Sequence, residues 1–266
     1  MKWGKRVDVA LSHAYRQRMT DPRLFCPSAL TLAAEIKLGR DESHYLVSVM
    51  RRKVGDKVRL FNAQDGEWSA VIAAADRKGA ALVVDAKLRS AQSVPDLDLL
   101  FAPVKKSRTD FIVEKATELG VQRIRPVLTQ RTIADKVRID RLGALAREAA
   151  EQTERFDLPE IYEAEKLGSV LESWSADRVL IFCDEAGDAK PMADALRDRP
   201  MIKAAILIGP EGGFTQDERE RIRSLPTALP VSLGPRILRA DTAAAAALSV
   251  WQSQCGDWAG GAQPRE

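Results

Sequence analysis

The spacing of apolar residues along the chain changes at Pro95, and no other feature of the sequence constrains the fold as strongly. After Pro95, apolar strand-like runs alternate with segments of helical spacing. The strand-like runs are residues 97–102, 121–128, 178–183, 204–208 and 228–233, and the helical segments are 109–119, 141–154, 191–197 and 241–254. The Thr215 to Glu218 spacing of a capping box predicts one further helix. This alternation predicts an α/β domain with a largely parallel sheet.

Before Pro95, the chain shows short strands with close turns. Asp65-Gly66 separates two alternating runs, residues 59–61 and 67–72, and glycine supplies the positive φ that a hairpin turn needs. Residues 80–84 have the pattern of another strand. Several short strands joined by close turns predict a small β-barrel.

These two patterns divide the chain into two domains. We expect a small barrel at residues 21–92 and an α/β domain at residues 93–256, with a C-terminal tail at residues 257–266. Residues 1–20 are basic and carry no pattern. They indicate either an arm outside both domains or a protein that begins at Met19.

The net charge differs between the two parts. The whole chain carries +3 at pH 7, but residues 1–92 carry +7 and residues 93–266 carry −4. Residues 44–53 have the spacing of a helix with an apolar stripe beside a basic one, which suits RNA phosphate. A basic barrel joined to a mildly acidic α/β domain is typical of a nucleic-acid-binding module attached to a catalytic one.

Composition excludes several classes of protein. Hydrophobic residues make up 45% and charged residues 30%, which indicates a globular rather than a disordered chain. Three scattered cysteines and two histidines without a CxxC pair predict neither a disulfide framework nor a metal site. Because the sequence has neither a membrane-spanning apolar run nor the apolar region of a signal peptide, we expect a cytoplasmic protein.

Two glycine–proline loops follow two strands of the predicted sheet. The first is residues 209–213, Gly-Pro-Glu-Gly-Gly, and the second is residues 234–239, Gly-Pro-Arg-Ile-Leu-Arg. Ligands bind α/β sheets where strands lead into helices, and glycines let backbone N–H groups approach a ligand closely. The first loop lacks the lysine and spacing of a P-loop and does not match GxGxxG. We expect the two loops to form opposite walls of one pocket.

Together, the motifs of the two parts resemble one family. In the first part they are residues 44–51, 55–56, 60–62 and 65–66, and in the second they are residues 115–121, 151–152, 159–161, 208–214 and 233–239. The sequence is similar to the bacterial 16S rRNA (uracil-N3)-methyltransferases, the RsmE family of the SPOUT superfamily. The resemblance extends in order from about Pro22 to about Gln252.

The resemblance implies a fold, a cofactor and partners. The N-terminal domain would be a PUA-like barrel that binds rRNA, and the α/β domain would be a SPOUT fold with a C-terminal trefoil knot. Periodicity alone predicts an unknotted doubly wound sheet, because true knots are very rare. The family is homodimeric, binds S-adenosyl-L-methionine in the knot, and acts on 16S rRNA of the 30S ribosomal subunit. No membrane contact is implied.

The resemblance also implies residues that bind the cofactor and the RNA. The cofactor pocket would be formed at the loops and nearby strand ends by Phe182, Asp184, Leu207, Gly209, Pro210, Glu211, Gly212, Gly213, Leu233, Gly234, Ile237 and Leu238. The basic residues expected to contact RNA are Arg23, Arg51, Arg52, Lys53, Lys105 and Arg108.

Methylation of uracil N3 requires that the N3 proton is lost or that the resulting anion is stabilised, because the pKa of N3 lies well above neutrality. Arg236 or Arg239 would stabilise a uracil oxygen or hold a phosphate. Asp241, Glu211 or Glu151 would serve as the base. The family commonly has glutamate at the position of Asp241, in the sequence Arg-Thr-Glu-Thr, so the shorter side chain here displaces the carboxylate.

Two other functions stay open at this point. One is a SPOUT enzyme that methylates a ribose 2′-OH of RNA. The other is a non-catalytic rRNA-binding assembly factor, although the intact pair of glycine–proline loops argues against it.

Overall fold

A computed structural model describes residues 21–76, 79–133, 137–185, 188–199 and 203–260. The described chain falls into two compact units, divided between Ser93 and Val94. The arm expected at residues 1–20 lies outside the described residues. A 3-10 helix, Asp257–Gly260, occupies the first part of the expected C-terminal tail.

The N-terminal unit is built on a five-stranded mixed sheet. Its strands are β1 (Arg23–Phe25), β2 (Glu35–Lys37), β3 (Lys57–Asn62), β4 (Gly66–Asp76) and β5 (Gly79–Arg89). Their order is β1-β3-β4-β5-β2, with β1 parallel to β3 and the other pairs antiparallel. Alternate side chains such as Leu60, Ile72 and Leu82 form the core. The small β domain is thus confirmed.

The hairpin between β3 and β4 turns where the sequence predicts it. Gly66 has φ +85°, and a Cβ there would lie 2.2 Å from the carbonyl oxygen of Arg89, so only glycine fits. The Asn62 side-chain oxygen accepts from the Asp65 backbone N–H at 2.6 Å. The Asp65 carboxylate accepts from the Leu30 N–H at 2.9 Å, which ties the turn to the connection between β1 and β2.

The helix expected over residues 44–53 is shorter than the pattern predicts. Helix α1 (Arg40–His44) continues as a π-helical turn, Tyr45–Val49, and ends there. Arg51 has φ +54°, a left-handed conformation that cannot continue a helix. Residues 51–53 therefore lie in the turn before β3, where the Asp56 carboxylate accepts from the Lys53 backbone N–H at 2.9 Å.

The C-terminal unit contains the largely parallel sheet that the alternation predicts. Its strands are β6 (Leu97–Phe101), β7 (Arg123–Leu128), β8 (Glu160–Ile161), β9 (Glu165–Lys166), β10 (Val179–Cys183), β11 (Lys190–Pro191), β12 (Ala204–Ile208) and β13 (Ala228–Ser232). The order is β11-β13-β10-β12-β6-β7-β8, with β9 also pairing β7. All of these pairs are parallel.

Helices cover both faces of this sheet. They are α2 (Lys106–Glu118), α3 (Ile139–Thr153), α4 (Leu167–Glu172), α5 (Met192–Leu196), α6 (Gln216–Arg223) and α7 (Ala240–Gln254). Ile181 packs in one core with residues of α2, α3, α5 and α7. Its neighbour Phe182 packs in a second core with residues of α4 and α6, because successive strand side chains point to opposite faces. No helix within the described ranges is both long and apolar enough to cross a bilayer.

Local signals locate several helix ends. The capping box is confirmed: the Thr215 hydroxyl accepts from the Glu218 N–H at 3.3 Å, and the Glu218 carboxylate accepts from the Thr215 N–H at 3.0 Å. Gly120 follows α2 with φ +75°, as expected of a helix C-cap. Helix α2 begins at Lys106, three residues before the predicted start. The short α4, β8, β9 and β11 were not predicted.

The last strands of the sheet are not in chain order. Strand β10 lies between β12 and β13, so the chain crosses β10 on its way from β12 to β13. It then returns, and α7 packs against α2 and β12. Such a return path is one part of the expected trefoil knot, whose complete threading stays a prediction.

Candidate active site

The two glycine–proline loops line one cavity of about 570 Å³. It lies at the carboxyl ends of β10, β12 and β13, where an α/β sheet of this kind binds ligands. Its lining consists of residues 108, 183–185, 208–211, 213, 232–240 and 243. The expectation that both loops belong to one pocket is confirmed.

The first loop is shaped by two of its glycines. A Cβ at Gly209 would lie 2.6 Å from the ring of Phe214, which itself packs edge-to-face on Phe182 with ring centroids 5.2 Å apart. Gly213 has φ +67°, and the N–H of Phe214 then donates to the Glu185 carboxylate at 3.2 Å. The loop can therefore lie flat against its own aromatic residue only if position 209 has no side chain.

Two arginines bind this loop. The guanidinium of Arg131 donates to the carbonyl oxygen of Gly212 at 2.7 Å. Arg108 forms an ion pair with the Glu211 carboxylate. The contact involves Oε1 of Glu211, whose side chain is 38% exposed.

Asp184 borders the cavity, but its carboxylate binds arginines of α6. The side chain is fully buried and lies 2.6 Å from Arg223 and 3.0 Å from Arg219. Arg223 also contacts Asp188 at 2.5 Å. Because the buried Asp184 carboxylate pairs with two guanidinium groups of α6, it fixes this edge of the cavity to that helix.

Burial, with a smaller contribution from the Glu185 carboxylate, raises the pKa of the half-buried Cys183 thiol to about 12. Cys183 therefore supplies a neutral thiol at physiological pH, and it is unsuited to act as a nucleophile.

The second loop presents two arginines to the cavity. Arg236 and Arg239 line it and are solvent-exposed, and neither guanidinium bonds to another described residue. Ile237, between them, is 95% exposed. Gly234 has φ +108° and provides the turn after β13. Both guanidinium groups are thus available to a bound anion.

Three residues expected to bind the cofactor do not line the cavity. Phe182 and Leu207 are fully buried in the core on the α4 and α6 side of the sheet. Gly212 faces outward, where a Cβ would lie 3.5 Å from the Arg131 side chain. These three residues lie behind the cavity lining, which their neighbours along the chain form.

Two of the expected acid–base residues also lie outside the lining. Asp241 is in the first turn of α7, where its carboxylate accepts from the Thr242 N–H at 3.0 Å. Glu151 is near the end of α3. Of the three carboxylates expected to serve as the base, Glu211 alone lines the described cavity.

Most of the lining residues that the sequence list does not name are small or apolar, and Glu185 is the charged exception. Ile208, Ser232, Ala240 and Ala243 belong to the small and apolar group. Their position beside the two motifs is visible in the sequence, but side chains of these types carry no chemical signal of their own.

Arg23 is the buried member of the basic residues expected to contact RNA. Its side chain is 3% exposed, donates to Glu67 at 2.7 Å and lies 3.5 Å above the Phe61 ring. Burial lowers its pKa to about 10, against the opposing effect of Glu67. Arg23 therefore joins β1 to β4 instead of presenting its charge to RNA, whereas Arg51 and Lys53 are exposed.

Replacing Gly209 by alanine is expected to lower the free energy of unfolding by about 1–3 kcal/mol, because the new methyl group displaces the Phe214 ring from its core. The matched control is Gly143→Ala in α3, where nothing lies within 4 Å of a new Cβ. That variant should gain about 0.5–1 kcal/mol. Urea denaturation measures both. Equal midpoints for Gly209→Ala and the unchanged protein would contradict the close contact.

Comparison with known proteins defines the class first. Residues 91–252 match the family described as RNA methyltransferase domain, and residues 38–85 match the RNA methyltransferase PUA domain. The unit that carries the two-loop cavity is an RNA methyltransferase domain. The Ribosomal RNA small subunit methyltransferase E of Rickettsia conorii is 32% identical over 231 residues, which are 85% of this chain and 93% of that protein. The chain belongs to the ribosomal RNA small subunit methyltransferase E family.

Solved structures share the fold along nearly their whole length. A methyltransferase of Legionella pneumophila in complex with S-adenosylmethionine is 28% identical, with a TM-score of 0.80 over 89% of this chain and 99% of that one. The Neisseria gonorrhoeae small subunit methyltransferase E is 24% identical, with a TM-score of 0.81 over 90% and 99%. The expected SPOUT-type α/β fold with a PUA-like N-terminal domain is confirmed.

Proposed function

We propose that this protein transfers a methyl group from S-adenosylmethionine to N3 of a uridine in the 16S rRNA of the small ribosomal subunit. The observation that carries the proposal is the single cavity of about 570 Å³ formed by both glycine–proline loops. Membership of a family named for small-subunit rRNA methylation supports the substrate. The cofactor bound to the Legionella protein supports the methyl donor.

The lining of the cavity suits S-adenosylmethionine. Ile208, Leu233 and Leu238 offer apolar surface to an adenine ring, and the glycines leave backbone N–H and C=O groups accessible. Glu185 and Glu211 are carboxylates at the lining that suit a ribose hydroxyl or an ammonium group. When bound, the cofactor supplies a methyl group that its sulfonium already activates.

The protein's own residues must position the uracil and manage the N3 proton. N3 forms a bond to the methyl carbon as the carbon–sulfur bond breaks, and the N3 proton passes to a base. Arg236 and Arg239 can donate to the uracil oxygen on which negative charge grows. Glu211 is the best placed of the expected bases, and it becomes available when Arg108 turns to another anion, such as an RNA phosphate.

The substrate uridine must be unpaired or flipped out, because N3 is hydrogen-bonded within a duplex. The exposed Arg51 and Lys53 are suited to the rRNA backbone, as is the net charge of +7 on residues 1–92. We further propose that the protein acts as a homodimer on the 30S subunit in the cytoplasm, as the family resemblance implies.

Isothermal titration calorimetry with S-adenosylmethionine tests the proposal directly. We expect saturable binding to the full chain, and no binding of ATP, because the first loop lacks the lysine of a P-loop. Absence of S-adenosylmethionine binding would contradict the enzyme and would favour a non-catalytic rRNA-binding factor.

A further inference from the structure

A second cavity of about 500 Å³ shares Pro210 and Glu211 with the first. Of the described residues, five with cationic side chains line it: Lys105, Lys106, Arg131, Arg138 and Arg141. We call it the basic cavity. Segments far apart in the sequence meet there, namely the start of α2, the approach to α3 and the outer side of the 209–213 loop.

Among the residues that the structure describes, part of this positive charge has no paired carboxylate. Arg141 pairs with Asp110, and Arg131 donates to the carbonyl oxygen of Gly212. Lys105, Lys106 and Arg138 are exposed and make no side-chain hydrogen bond or ion pair within the part of the chain that the structure describes. Glu211, the one carboxylate among the described lining residues, is already paired with Arg108.

Two helices begin at the basic cavity. The N-cap residues of α2 and α3 are Lys105 and Arg138, and neither gives a side-chain hydrogen bond to its own helix. The first N–H groups of a helix lack intrahelical partners and carry partial positive charge. They add to the attraction that the cationic side chains exert on an anion.

The floor of the basic cavity is apolar. Pro103, Val104, Val137 and Leu142 also line it, and they are less exposed than Lys105, Lys106 and Arg138. Inorganic phosphate has no apolar part that could use this surface. A nucleotide carries one anionic group and one flat base, which matches both halves of the lining.

We propose that the basic cavity holds a nucleotide of the RNA that neighbours the acceptor uridine, with its phosphate at Lys106 and Arg138 and its sugar and base over the apolar floor. This inference rests on the proposed function. Methyl transfer requires the acceptor atom to lie about 3–3.5 Å from the methyl carbon, so the acceptor uracil shares the first cavity with the cofactor and the adjoining RNA must lie next to it. Because Pro210 and Glu211 line both cavities, the basic cavity adjoins the first one.

The double variant Lys106→Gln/Arg138→Gln tests the assignment through catalysis. Its kcat/KM for the RNA substrate should fall roughly ten- to hundred-fold, and the salt dependence of log KM should lose about 1.5–2 units of slope, because two phosphate contacts are removed. The affinity for S-adenosylmethionine should stay within two-fold. The control, Lys166→Gln/Lys190→Gln, also removes two exposed positive charges, but neither residue lines a described cavity. Equal kinetics for the two double variants would overturn the proposal.

A binding measurement separates this proposal from the proposed function. Uridine 5′-monophosphate, titrated into the ¹⁵N-labelled full chain, should shift the backbone amide signals of Lys106 and Ile139, and the Lys106→Gln/Arg138→Gln variant should lose these shifts. Because this measurement involves no methyl transfer, its result does not depend on whether calorimetry detects binding of the cofactor. Absence of the shifts, or equal shifts with inorganic phosphate alone, would overturn the nucleotide assignment.

Discussion

Replacing Arg236 by alanine is expected to lower the methylation turnover number by about 10²–10³-fold, the usual effect of removing one donor to a developing negative charge. Arg236 lines the cavity formed by the two glycine–proline loops, and its guanidinium bonds to no other described residue. Its guanidinium is therefore available to a uracil oxygen, which gains charge as the N3 proton leaves. Because the side chain is exposed, its loss should leave the melting temperature unchanged.

Single-turnover methylation of rRNA measures this effect, with cofactor affinity determined in parallel. The matched control is Arg197→Ala, whose guanidinium is 69% exposed, pairs with Asp194 and lies outside the cavity lining. The control should keep its full rate. An unchanged rate for Arg236→Ala would remove this residue from the reaction, and a loss of cofactor affinity alone would make it a binding residue.

Replacing Glu67 by glutamine is expected to destabilise the N-terminal unit by about 3–5 kcal/mol, as is usual when one partner of a buried ion pair is removed. The Glu67 side chain is 2% exposed and lies within 2.7 Å of Arg23, 3.5 Å of Arg59 and 2.6 Å of Arg89. The neutral amide leaves three guanidinium groups close together without their shared carboxylate. Arg23, at 3% side-chain exposure, cannot turn to water.

Urea denaturation followed by circular dichroism gives this change in stability. Glu172→Gln is the control, because Glu172 is 72% exposed and its ion pair with Arg221 should contribute about 0–1 kcal/mol. A loss below 1 kcal/mol for Glu67→Gln would show that the cluster does not hold β1, β3 and β4 together.

Most of the fold could be predicted from signals between residues that lie close together in the sequence. The capping box at Thr215 and the hairpin turn at Gly66 depend on neighbours a few residues away, so the sequence shows them directly. The alternation after Pro95 located the main strands, because apolar runs of that length need burial on a sheet. The left-handed Arg51 could not be predicted, since nothing in its side chain requires that conformation.

The loops of the candidate site were predicted more accurately than its individual side chains. Both glycine–proline loops do line one cavity, but Phe182 and Leu207 point to the opposite core. A motif locates a stretch of backbone, whereas the direction of each side chain depends on strand register. Pairings over long sequence distances, such as Asp184 with Arg223, and the gathering of cations at the basic cavity become visible only once the chain is folded.

The central claim is tested most directly by the product. Small ribosomal subunits from a strain that lacks this methyltransferase would be incubated with the purified protein and S-adenosylmethionine, and nucleosides of the 16S rRNA would be identified by mass spectrometry. We expect one new 3-methyluridine. A 2′-O-methylated nucleoside in its place, or no methylation at all, would contradict it.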